Sequence, residues 1–141
     1  MLQEAIRFSL QPQALIGFGL YIIGAMLAMW LFVFLYTRIT PHNEFALIRS
    51  GNTAAAIALG GSVIGFALPI NNLITYSASI LDFAIWALIA MVVQLVMFGL
   101  TSLVLRKLST RIEKDEVSAG IFVASASIAA GLLNSACMVP A

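Results

Sequence analysis

The chain has 141 residues, of which 62% are hydrophobic and 9% are charged, and its formal net charge at pH 7 is +1. Soluble domains spend about a quarter of their residues on Asp, Glu, Lys and Arg, so this composition excludes a water-soluble globular protein. The small net charge also argues against a nucleic-acid partner. We therefore predict a single membrane domain over residues 1–141, with the lipid bilayer as its solvent.

Four runs without a charged residue make up most of the chain; they cover 8–37, 50–81, 83–105 and 117–141. About 20 apolar residues are enough to span about 30 Å of hydrocarbon. The runs therefore predict an all-α integral membrane protein with four transmembrane helices, near 14–36, 53–74, 83–105 and 117–138. The first run is too long for the core of a signal peptide, so we expect it to be retained. Ahead of it, residues 1–13 are compatible with a short surface helix or with a frayed terminus.

Basic residues are distributed unevenly between the two sides of the predicted bundle. The loops at 37–52 and 106–116 hold six of the seven Lys and Arg residues, and the loop at 75–82 holds none. Because cytoplasmic loops are enriched in Lys and Arg, we predict that both basic loops are cytoplasmic and that both termini lie outside. The six residues are Arg38, Arg49, Arg106, Lys107, Arg111 and Lys114.

These six residues, together with His42 and Glu44, are candidates for contact with a partner at the membrane surface. The competing interpretation is that the charges serve only topology. His42 lies in the segment Thr-Pro-His-Asn-Glu, and one histidine beside one carboxylate makes a poor metal site. A short helix capped by Thr40, with Pro41 as its first residue, is the favoured interpretation of this segment.

An internal repeat emerges when the chain is shifted by 64 residues. The segment 48–68 then aligns with 112–132, with five identities and with small residues opposite small residues. Internal similarity of this kind is the signature of a repeated architecture. It predicts two tandem two-helix hairpins, about 14–76 and about 82–139, that share one orientation like parallel repeats.

Small residues form stripes on the second and fourth predicted helices. Gly61 and Gly65 make a G-x-x-x-G pair on one face. Helices in lipid associate through close packing, so these stripes predict helix–helix contacts, within the chain or between chains. The neighbouring stripe includes Ala56 and Gly60, and it is mirrored by Gly120, Ala124 and Gly131.

Polar residues inside the predicted spans are few. Gln94 lies in the third helix, and Ser125 and Asn134 lie in the fourth; further serines occur in the second and fourth. One interpretation is that they form structural hydrogen bonds between helices. The alternative is that Gln94 and the serines line a narrow polar path between subunits.

Two isolated residues lie near predicted helix ends on the outer side. Asp82 is interpreted as a cap of the third helix. Cys137 stands alone in the sequence, so no intrachain disulfide can form, and we expect it to be a small apolar packing residue.

The motifs of catalysis are missing from the sequence. There is no Ser, His and acid set at usable spacing, no phosphate-binding glycine loop and no cluster of metal ligands. We therefore expect a protein that is not an enzyme and has no cofactor and no metal.

Three runs of the sequence resemble a known family: ITPHNEFALIRSGNTAAAIALGGSVIGFALP, WALIAMVVQL and AGLLNSACM. They are similar to the bacterial inner-membrane family of domain of unknown function 350, over nearly the whole chain and including the tandem repeat. The resemblance implies an inner-membrane protein without an established activity, and it supplies no catalytic residues. Relatives in this family are often encoded beside proteins of the phage-shock-protein A class, which implies a possible peripheral partner of that class.

Taken together, these features predict a non-enzymatic envelope or membrane-stress component. It would act through helix packing and through partners of its cytoplasmic loops. The alternative is a subunit of an oligomeric channel or transporter. Because four helices are too few to enclose a pore alone, this alternative requires a homo-oligomer.

Overall fold

A computed structural model describes residues 1–138, and within them the chain forms seven helices. In chain order they are α1 (Leu2–Ser9), α2 (Pro12–Ile39), α3 (Glu44–Arg49), α4 (Thr53–Tyr76), α5 (Ile80–Val104), α6 (Leu108–Glu113) and α7 (Val117–Cys137). Four of them, α2, α4, α5 and α7, are long and apolar enough to cross a membrane. The predicted all-α membrane protein with four transmembrane helices is therefore confirmed. Residues 139–141, which include the predicted end of the second repeat, lie outside the described part of the chain.

The start of α5 differs from its predicted position at residue 83. Ser79 caps the helix, because its hydroxyl accepts a hydrogen bond from the Asp82 backbone N–H at 3.1 Å. Asp82 lies in the first turn and accepts from the Ala78 N–H at 3.0 Å. This reciprocal pairing resembles a capping box. The prediction of Asp82 as the cap is wrong by one turn.

The segment before α3 also differs from the prediction. Asn43 is the cap, and its side-chain oxygen accepts from the Ala46 N–H at 3.1 Å. Thr40 instead follows the end of α2, where its hydroxyl donates to the Thr37 carbonyl at 3.3 Å. Asn is among the strongest N-cap residues, and it displaces the predicted start at Pro41.

The four long helices are buried to different extents. α4 packs along α7, α5 contacts both, and α2 lies against α4 and α5. In the most apolar window of each helix, 56% of α4 is buried and only 11% of α2. Aromatic rings fill the contact of α2 with its neighbours: Phe32 stacks on Phe66 at 4.6 Å, and Tyr36 meets Phe98 at 4.8 Å, between ring centroids.

One end of the bundle, termed the basic end, consists of residues 38–52 and 105–116. Here the turns between α2 and α4 and between α5 and α7 are hydrogen-bonded to each other. The Asn52 side-chain amide donates to the Ile112 carbonyl at 2.8 Å, and Asp115 accepts from the Ala54 N–H at 2.8 Å. These hydrogen bonds join the first and second halves of the chain at the basic end.

The two turns at the basic end follow the same register. α3 and α6 have six residues each and begin 64 residues apart. Gly51 and Asp115, also 64 apart, have positive φ values of 90° and 58°. The N–H of Asn52 donates to Leu47, as that of Glu116 does to Arg111. The tandem repeat stays a prediction, and this shared register supports it.

Candidate functional site at the basic end

The contact between α4 and α7 depends on glycine. A Cβ atom added to Gly131 would overlap the Gly65 carbonyl, and one added to Gly61 would overlap Ala124. One added to Gly120 would lie 2.5 Å from the Ala54 carbonyl oxygen. These small residues let the two backbones touch, as is typical of helix packing in lipid.

Ala56 and Gly60 are placed differently from the prediction. Both are exposed, and within residues 1–138 a Cβ on Gly60 would meet only open space. Successive helix positions are rotated by about 100°, so the face that carries Gly61 and Gly65 turns Gly60 away from α7. For packing within the chain, the prediction of Ala56 and Gly60 as contact residues is wrong.

Buried polar side chains connect α4, α5 and α7. The Ser62 and Ser127 hydroxyls are 3.3 Å apart, and the Gln94 amide donates to the Ser127 carbonyl at 2.9 Å. The Asn134 amide donates to the Ala90 carbonyl at 3.3 Å. Gln94 is 2% exposed, so it faces the interior of this chain rather than a neighbouring subunit.

Ser125 does not belong to this polar set. It is exposed on α7, and the prediction of Ser125 as an interhelical hydrogen-bonding residue is wrong. Ser127, two positions later, is buried and contacts α4 instead. The physical reason is again the helical rotation, because two residues correspond to about 200°.

His42 and Glu44 are buried at the basic end. The imidazole Nε2 lies 2.6 Å from Glu44 Oε1, and Nδ1 lies 2.5 Å from the Ser109 hydroxyl. The side chains are 2% and 0% exposed. The prediction that these two residues contact a surface partner is therefore wrong. They join the α2–α3 turn and α3 to α6 instead.

Three buried polar atoms, one each in α2, α3 and α5, lack a hydrogen-bond partner among the described residues. They are Glu44 Oε2, the Tyr36 hydroxyl and Gln94 Oε1. The Tyr36 hydroxyl makes no hydrogen bond of normal geometry to the Ser62 hydroxyl or to the Glu44 carboxylate. Buried polar groups are nearly always paired, so the unpaired atoms of Tyr36 and Glu44 mark this end of the bundle as a candidate site.

Two surface cavities flank the imidazole of His42. One, of about 370 Å³, is lined by His42, Ser109, Lys107 and parts of α2 and α5. The other, of about 410 Å³, is lined by His42, α3 and Glu113. The imidazole therefore lies between the protein interior and space open to the surface.

The basic residues lie around this buried pair. Arg38 lies over the Phe34 ring at 4.9 Å from its centroid. Arg111 pairs with Glu116, with Nε and Oε2 2.5 Å apart, and is only half-buried. The fully exposed cations are Arg38, Arg49, Arg106, Lys107 and Lys114.

Sequence reasoning missed the burial of Glu44 and the roles of Ser109 and Tyr36. One signal was available: the position 64 residues after Glu44 is Leu108, which marks the place as apolar. Among the described residues, no group of three or more His, Cys, Asp or Glu side chains could hold a metal ion.

Cys137 is exposed, so the prediction of a packing residue is wrong. It lies in the last turn of α7, beyond Asn134, whose amide bonds to the Ala90 carbonyl of α5. The side chain lines a surface cavity of about 270 Å³ together with Asp82 and Trp86.

The profile of a family described as Domain of Unknown Function (DUF350) matches residues 9–138. The chain belongs to the DUF350 family. The predicted resemblance is thus confirmed, and this DUF350 chain is a membrane protein whose function the family description leaves open.

The chain is similar to named membrane proteins of Escherichia coli and Bacillus subtilis. The UPF0719 inner membrane protein YjfL of Escherichia coli K12 is 37% identical over 125 residues, which are 89% of this chain and 95% of the relative. The UPF0719 transmembrane protein YshE of Bacillus subtilis is 27% identical over 108 residues, 75% of this chain and 81% of the relative. No solved structure matches the chain.

Proposed function

We propose that this chain is a non-enzymatic component of the bacterial inner membrane whose basic end binds a peripheral protein. The observation that carries the proposal is the joining of two turns distant in sequence into one surface with five exposed cations. The same surface has two exposed carboxylates, Glu113 and Asp115. Such an excess attracts an acidic partner and is sensitive to salt.

The proposal requires that the basic end faces the cytoplasm and that both termini lie outside. The distribution of Lys and Arg supports this orientation. Cys137, the only cysteine of the chain, is exposed at the opposite end and serves as a native reporter. An impermeant thiol reagent should label it in intact cells. A variant with Cys137→Ser and Lys114→Cys should react only after the membrane is permeabilised, and the reverse pattern would overturn the orientation.

The partner class follows from the family resemblance and from the charge. Relatives encoded beside proteins of the phage-shock-protein A class point to a peripheral protein that coats stressed membranes. An acidic face on such a protein would complement the exposed cations. We therefore propose a role in the envelope-stress response, with helix packing as the scaffold and the basic end as the docking surface.

The test uses purified chain in uncharged liposomes and a purified protein of the phage-shock-protein A class. Arg49→Gln combined with Lys114→Gln removes two exposed charges, and Arg49→Lys combined with Lys114→Arg is the charge-matched control. Because an exposed ion pair contributes about 0.2–1 kcal/mol, the first variant should bind about 2- to 30-fold more weakly in a sedimentation assay. Equal binding to both variants, or to empty liposomes, would refute the proposal.

The alternative function, a subunit of an oligomeric channel or transporter, is favoured by one specific observation. In the predicted repeat, each residue of α4 is equivalent to the residue of α7 that lies 64 positions later. The residues that form the α4–α7 contact are not equivalent in this sense. Gly61 is covered and Ser125 is exposed, whereas Gly120 is covered and Ala56 is exposed. The face that α7 buries against α4 therefore has an equivalent on α4 that is exposed. The face that α4 buries against α7 likewise has an exposed equivalent on α7.

A second copy of the chain fits this arrangement. The uncovered face of α4 on one copy and that of α7 on the next would repeat the contact already made within the chain. Such a heterologous contact closes into a ring or extends as a filament. A pore would then lie between chains.

The alternative predicts that Gly60→Leu dissociates the oligomer, measured as mass in native membranes, and abolishes ion flux in liposomes. Ile64→Leu, also on the exposed surface of α4, is the control. A monomer without flux would eliminate this function.

A further inference from the structure

We propose that His42, Glu44 and Ser109 form a buried proton-binding site at the basic end, at the start of a polar file that leads to Gln94. The site goes beyond the binding of a peripheral partner, which depends on exposed cations, and either can fail without the other.

The first step is the burial of the pair. Both residues are buried, with side chains only 2% exposed for His42 and 0% for Glu44. Burying an ionisable pair is costly in a low-dielectric interior, and an apolar pair of similar volume is often as stable. The burial of the pair is therefore weak evidence of a stabilising role, which leaves room for a chemical one.

The second step is the number of protons that the geometry accommodates. Nε2 and Oε1 at 2.6 Å require one proton between them. If the Ser109 hydroxyl donates to Nδ1, the imidazole is neutral and the cluster carries one negative charge. If a further proton binds Nδ1, this N–H donates to the Ser109 oxygen at 2.5 Å, and the imidazolium and carboxylate together are neutral. Uptake of one proton from water thus needs only the rotation of a hydroxyl group.

The third step is access and the surrounding charge. His42 lines both surface cavities at the basic end. Lys107 lines the first cavity and Glu113 lines the second, and Tyr36 is the buried ionisable residue of α2 at this end. The ionisable residues of α4 and α5, Tyr76 and Asp82, lie at the opposite end of the bundle.

The fourth step is the polar file beyond Glu44. Glu44 Oε2 and the Tyr36 hydroxyl are both buried and unpaired within residues 1–138. Ser62 and Ser127 follow at 3.3 Å from each other, and Gln94 with its unpaired Oε1 ends the file.

Beyond Gln94, the backbones of Gly65 and Gly131 are in direct contact. The file ends at this close contact of α4 and α7.

The test exploits His42 as the only histidine of the sequence. The intact protein, labelled with ¹⁵N-histidine and freed of any affinity tag, is placed in lipid nanodiscs, and the imidazole ¹⁵N resonances are followed with pH. We expect a transition from one protonated ring nitrogen to two as the pH falls. A single protonation state throughout the pH range in which the protein stays folded would overturn the proposal.

Three variants distinguish a proton site from a structural contact. Glu44→Gln removes the charge that stabilises the imidazolium, so the midpoint should move to lower pH. Ser109→Ala, at a half-buried position, should shift the Nδ1 resonance and leave the Nε2 resonance in place. Glu113→Gln, an exposed carboxylate beside the same cavity, is the control and should barely move the midpoint.

A Glu44→Gln titration that superimposes on that of the parent would refute the coupling. If this variant does not fold, an Nδ1 resonance unchanged by Ser109→Ala would refute it equally.

Discussion

The two turns at the basic end have the same backbone and different interiors. α3 begins with Glu44 and α6 begins with Leu108, 64 residues later. Both side chains are buried, at 1% and 5% exposure. Because the second turn fills this place with leucine, the backbone itself needs only an apolar side chain there. The Glu44 carboxylate is therefore not needed to form the backbone of the first turn.

The polar contacts of the two turns also differ: those of the first turn are buried, and those of the second lie near the surface. Asn52 caps α4 and reaches across to the Ile112 carbonyl, where it is buried. Its counterpart Glu116 makes no capping hydrogen bond with its side chain to α7, and pairs with Arg111 near the surface instead. The first turn therefore holds the buried polar chemistry, and the second turn holds exposed charge.

The largest change in stability is expected when the buried residue of one turn is placed in the other, as Leu108→Glu or Glu44→Leu. Leu108→Glu buries a carboxylate with no histidine beside it among the described residues, and an uncompensated buried charge costs about 3–5 kcal/mol. Glu44→Leu should cost less, about 1–3 kcal/mol, because it gains apolar burial but leaves the buried His42 Nε2 without its hydrogen-bond partner. Thermal unfolding in detergent measures both.

The loss in Leu108→Glu should shrink as the pH falls. Burial makes the carboxyl group easier to protonate in the folded state, so the protonated variant is penalised less. Equal destabilisation by the two exchanges would show that the turns have equivalent interiors.

The helices that follow the turns extend the comparison, since α4 and α7 bury non-corresponding faces. Gly131→Leu forces a branched side chain into the Gly65 backbone, and overpacking typically costs about 1–3 kcal/mol; we expect the upper end. Gly60→Leu, which meets open space within residues 1–138, should be neutral or slightly stabilising because leucine favours the helix. The melting temperatures of the two variants in detergent test this difference. A Gly131→Leu variant as stable as Gly60→Leu would contradict the close contact of Gly131 with the Gly65 backbone.

The capping difference gives a smaller effect. Asn52→Ala removes an N-cap, at about 0.5–2 kcal/mol, and leaves the Ile112 carbonyl without this donor. We expect a loss of about 2 kcal/mol. Glu116→Ala removes an exposed ion pair and should cost less than about 1 kcal/mol. Denaturation midpoints that shift equally would mean that Asn52 does not link the two turns.

Hydropathy and length were sufficient to predict the four membrane-spanning helices, because the hydrocarbon thickness sets their length. The small-residue stripes identified Gly61, Gly65, Gly120 and Gly131 as residues of close contact, but they did not show which of two adjacent stripes is buried. Ala56 and Gly60 differ from the buried residues only by the rotation of the helix. Glu44 is buried beside His42, which also bonds Ser109 of α6, 67 residues away, and local pattern does not report this long-range contact.

The smallest effect concerns the hydroxyl pair that links α4 and α7. Ser127 lies 3.3 Å from Ser62 and is buried, whereas Ser125 faces outward on the same helix. Interhelical hydrogen bonds in membranes contribute about 0.6 kcal/mol on average. Ser127→Ala should therefore cost about that much and Ser125→Ala nothing measurable. A double-mutant cycle with Ser62→Ala isolates the pair, because each single change also removes contacts of its own. A coupling energy near zero would mean that the two hydroxyls bond separately to backbone carbonyls, as Ser62 does to Ala58 at 2.8 Å, and the polar file would then be interrupted at this step.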